Sequence, residues 1–133
     1  MKTIHLKLMA ALVLGLLIGA SPCLASENGY CYIVGYSLAK KVVYFTPVLV
    51  EKVDGKSYSA EEFVADVELI DKMESAFQKY LQRVAMNATD FTVSARVAYK
   101  SQAIAQKRLD KERSNFKRRE FTINTASDFN FKN

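Results

Sequence analysis

The segment Tyr30 to Tyr36, YCYIVGY, constrains the fold of this chain more than any other. Aromatic and β-branched residues bounded by Asn28-Gly29 favour a strand. Leu38 to Lys41 follows as a turn. Val42 to Val50, VVYFTPVLV, then reads as a second strand. Pro47 has no N–H to give to a ladder, so this strand lies at a sheet edge or carries a bulge there. Asp54-Gly55 marks the next turn.

The pattern then changes period. Ser59 with Glu62 three residues on makes a capping box, which predicts a helix start. Phe63, Val67, Ile70, Phe77, Leu81 and Val84 recur at helical spacing and form one apolar stripe. Met86 to Asp90 ends that helix. Phe91 to Ala95 alternates as a short strand. A second helix is expected from Arg96 to Arg119, with Ala98, Ala105, Leu109 and Phe116 along one direction. Glu120 to Asn124 reads as a closing strand, and alternating Phe129 and Phe131 as a short edge strand. The order ββαβαβ predicts an α+β fold: a two-layer sandwich with a mostly antiparallel sheet of about four strands and both helices on one face.

The first 25 residues read differently from the rest. Lys2 and Lys7 precede the apolar run Leu8 to Ile18, which falls short of the roughly 20 apolar residues that cross a bilayer. Small residues follow, as in a secretory signal peptide. Cys23 sits after Pro22, which fits lipoprotein processing poorly, so cleavage after Ala25 is expected. Residues 26–133 would then be a single small α+β domain, exported to a bacterial periplasm or secreted, and not membrane-spanning. The only histidine, His5, lies in the leader, and Cys31 is the one cysteine beyond it. Its apolar neighbours predict burial; the alternative is an intermolecular disulfide.

Charge is uneven. Residues 26–95 hold 7 Lys and Arg against 10 Asp and Glu, whereas residues 96–133 hold 10 against 4. Arg96, Lys100, Lys107, Lys111 and Arg118 recur at spacings of four and seven, so they share one face of the expected second helix. Lys117 and Arg119 extend the cluster, and Ile104 lies beside it. This predicts a docking face for an acidic protein or an anionic envelope polymer such as a glycan. Tyr30, Tyr32, Tyr36 and Tyr44 are a second candidate, an aromatic surface on the sheet.

Catalytic chemistry is sparsely provided for. Without a histidine beyond the leader, neither a histidine-based triad nor a histidine-rich metal site can be built. Asp54 to Ser57, DGKS, lacks the upstream glycine of a phosphate loop, because Val50 stands there. Ser37 to Lys40 matches S-x-x-K without its companion motifs. A carboxylate-dependent hydrolase would have to pair Glu74 with Glu112. The expectation is a non-enzymatic binding protein, of accessory, inhibitor or immunity type, with no cofactor and no metal.

Overall fold

In the computed structural model, residues 26–133 are described; the expected leader, with Cys23, lies outside the described residues. The elements run β1 (Glu27–Ser37), β2 (Val42–Phe45), β3 (Leu49–Val53), α1 (Val67–Val84), a short 3-10 turn (Ala88–Asp90), β4 (Thr92–Tyr99), α2 (Gln102–Arg118) and β5 (Thr122–Thr125). The fold is α+β, with five strands in one mixed sheet and two helices.

β1 is the spine. Its residues Tyr30 to Tyr36 pair antiparallel with β4 on one side. On the other side its first half pairs with β3 and its second half with β2. The expected strand Val42–Val50 is thus broken at Thr46-Pro47-Val48. Thr46 repairs the gap: its N–H donates to the Ile33 carbonyl at 3.0 Å, and its Oγ1 accepts from the Ile33 N–H at 2.9 Å. The closing strand β5 runs parallel to β2, from Val42↔Thr122 to Phe45↔Thr125, so the sheet is not purely antiparallel.

The two helices cover opposite faces of the sheet, which corrects the expected packing on one face. α1 buries Leu69, Met73, Phe77 and Leu81 against the face carrying Cys31 and Ile33. α2 buries Ala105, Leu109 and Phe116 against the face carrying Tyr32 and Val34. The reason lies in β1. Every residue from Cys31 to Gly35 is buried, and a strand apolar on both faces needs cover on both. Gly35 lets α1 come close: a Cβ there would lie 2.7 Å from Leu81 Cδ1.

Both helices start later than expected. Ser59 caps no helix. Its Oγ accepts from the Glu61 and Glu62 N–H groups in a tight turn, and Phe63 then donates to the Ala98 carbonyl beside β4. α1 starts at Asp66, whose carboxylate accepts from the Glu68 and Leu69 N–H groups. The buried stripe is rotated accordingly, and Val67 is 69% exposed. The tail forms no strand. Phe129 instead packs edge-on against Phe77 and Tyr80.

Candidate functional site

α2 begins at Ser101, whose side chain accepts from the Ile104 N–H. It ends in a Schellman arrangement. The Glu120 N–H donates to the Lys117 carbonyl and the Phe121 N–H to the Phe116 carbonyl, with Phe116 and Phe121 rings 5.0 Å apart. Lys117 and Arg118 in the last turn suit the negative end of the helix dipole.

The expected basic face divides in two. Arg96 is in β4, not on a helix. Its Nε donates to Glu112 Oε1 at 2.8 Å and its Nη1 to Ser94 Oγ, so it ties β4 to α2. Lys100 lies in the β4–α2 turn. Its Nζ donates to Ser57 Oγ at 2.6 Å and sits 5.7 Å from the centre of the Phe63 ring. Tertiary pairing with β1 holds Arg96 to Tyr99 in a strand despite the helical spacing of their charges. Ser101, a good N-cap residue, is the signal that marks the true start.

Lys107, Lys111 and Arg118 remain together on the solvent side of α2. Arg118 donates to Asn115 Oδ1. Among the described residues, Lys107 and Lys111 enter no ion pair. They line a groove of ≈ 410 Å³ with Glu61, Ala103, Ile104 and Arg108. Arg108, which the spacing did not single out, is already engaged: its Nη2 lies 2.7 Å from Glu61 Oε2. That hydrogen bond and charge hold the Glu61 carboxyl below the usual range. What the groove offers is two uncommitted ammonium groups one turn apart, beside a half-buried isoleucine.

The tyrosines do not form an exposed surface. Tyr32 is fully buried under α2 and stacks on Tyr99 at 6.1 Å. Tyr36 packs on Phe116, and Tyr30 is half-buried on the same side. Tyr44 points to the opposite face, against Phe91. Cys31 is buried as expected, and burial followed by the nearby Glu51 pushes its thiol up to about 12. Glu74 and Glu112 lie on helices on opposite faces. Glu74 Oε1 accepts from the Ala95 N–H, so the carboxylate pair is not assembled. Among the described residues there is no group of three or more metal-binding side chains, and no helix is long and apolar enough to cross a membrane.

No known protein-family model, no curated protein and no solved structure matches this chain.

Proposed function

We propose that this chain is an exported, non-enzymatic envelope protein that docks an acidic protein through the solvent side of α2. The observation that carries the reading is the pairing of Lys107 with Lys111. They are exposed, one turn apart and in no ion pair among the described residues. The expected docking set thereby shrinks to Ile104, Lys107, Lys111 and Arg118. An acidic protein suits this face better than a uniform polyanion. Glu61 interrupts the positive charge, and Ile104 offers aliphatic contact that a phosphate backbone cannot use. The leader-like composition of residues 1–25 supports export.

The test passes envelope extract of the producing cell over immobilised protein at low and high salt. Lys107→Glu with Lys111→Glu should lose the salt-sensitive bound fraction while melting like wild type. Equal retention at low salt overturns the docking face. Intact mass of protein recovered from the envelope tests export: a chain beginning at Ser26 supports it, and lipid-modified Cys23 overturns cleavage after Ala25.

A further inference from the structure

The sheet has three edges, and they are not equally protected. Along β4, the Ala95 N–H is taken by Glu74, and Phe63 and Lys100 tie the turn Glu61–Phe63 against its end. β3 carries Glu51 and Lys52 and follows Pro47, the charges and proline that discourage added strands. β5, with the sequence TINT, has no charge, no proline and no bulge. It ends the order β3-β1-β2-β5, so among the described residues nothing pairs with its outer side.

The register shows which groups that side offers. The Thr122 N–H donates to the Lys41 carbonyl and the Ala126 N–H to the Phe45 carbonyl, both towards β2. Backbone groups of successive strand residues point to opposite sides, so Ile123 and Thr125 turn their N–H and C=O outward. Beside this edge lies a groove of ≈ 500 Å³. Phe121 and Ile123 supply its apolar lining, and Asp110, Arg113, Ser114 and Lys117 of α2 form its wall. Arg113 is anchored by Thr125 Oγ1 at 3.1 Å and lies over the Phe45 ring. Lys117 enters no ion pair among the described residues. Arg119 stacks nearby on Phe121.

We propose that the open edge of β5 receives an extended acidic peptide from a protein partner, which adds as a further strand. Main-chain bonds to Ile123 and Thr125 would hold the strand, apolar side chains would enter over Phe121 and Ile123, and a carboxylate would meet Lys117 and Arg113. Charge complementarity selects the occupant: Arg113 and Lys117 line the groove against the single acid Asp110, which accepts from Gln106, and Arg119 adds a third cation beside it over Phe121. This surface goes beyond the Lys107–Lys111 face and does not depend on it.

The test titrates isotope-labelled protein with a peptide alternating valine and glutamate and follows backbone amide signals. Two companions are a lysine-for-glutamate peptide and a depsipeptide with esters in place of its amides. The expected result is perturbation centred on Ile123, Thr125 and Lys117, with affinity falling by about tenfold or more for either companion. Thr125→Pro should abolish binding. Its N–H faces outward, so no bond to β2 is lost, and an unchanged melt checks the fold; Thr125→Val, which removes only the Oγ1 anchor of Arg113, should keep binding and so isolates the N–H. Lys117→Glu should weaken binding by itself if Thr125→Pro does not fold. Lys107→Glu with Lys111→Glu should leave binding intact, which separates this proposal from the docking face. Equal binding of the ester peptide, perturbation centred on Lys107 and Lys111, no perturbation at millimolar peptide, or a concentration-dependent doubling of mass through this edge overturns it.

Discussion

The Tyr32 hydroxyl donates to Glu112 Oε1 at 2.9 Å, joining residues 80 apart in the chain across the interface of β1 and α2. The same oxygen accepts from Arg96 Nε, so one carboxylate serves two donors from two strands. Glu112→Ala therefore strands a buried hydroxyl and a half-buried guanidinium together and should cost about 2 kcal/mol. Tyr32→Phe removes one donor, leaves the ion pair intact and should cost about 1 kcal/mol. Urea midpoints at constant slope measure both. Equal losses would mean that the carboxylate does not link the two donors.

Stability should fall on the alkaline side. Burial, then the Glu112 carboxylate, pushes the Tyr32 phenol well above its ordinary value. Burial, then the bond to Asp128, pushes Tyr80 up to about 12, and burial raises Tyr99. In the unfolded chain these phenols ionise near pH 10. The folded protein holds them protonated, so its advantage is complete below that pH. It is lost as pH rises from about 10 towards the folded-state values. Melting temperature measured from pH 8 to 11 should drop most steeply at the upper end. Tyr32→Phe should flatten the drop, and an unaltered slope would exclude Tyr32 as its cause.

Glu120 closes α2 in the left-handed region, at φ 63°, where glycine is the usual occupant. Both hydrogen bonds of the motif are made by backbone, so Glu120→Gly keeps them and removes the Cβ clash. The expected gain is roughly 0.5 to 1 kcal/mol after the entropy of the added glycine is subtracted. Thermal melting measures it. A loss of stability would show that the glutamate side chain contributes more than its backbone strain costs.

What could be read from residues alone was local. The hairpin about Leu38–Lys41, the burial of Cys31 and the core residues Ala105, Leu109 and Phe116 follow from composition and period. The failures share a physical origin. Ser59 and Glu62 have capping chemistry, but a hydroxyl that accepts from N–H groups two and three residues on serves a turn equally well. Arg96 and Lys100 match the helical period of Lys107 and Lys111, yet pairing with β1 decides the conformation of Arg96. Helix placement on both faces was encoded in the unbroken burial of Cys31 to Gly35, which alternation-based reasoning passes over. Neither the groove beside Lys107 nor the one beside Lys117 was legible, because each needs a segment distant in sequence, Glu61 in one and Phe121 with Ile123 in the other.

The parallel register of β2 with β5 also sets a timetable. Val42 meets Thr122, so a segment made early waits for one made after every other element. Such distant pairing forms late in folding, once the intervening chain is ordered. Until Thr122 to Thr125 pair with Val42 to Phe45, the outer edge of β5 does not exist. A partner that adds to this edge would therefore meet only molecules in which β2 and β5 have already paired.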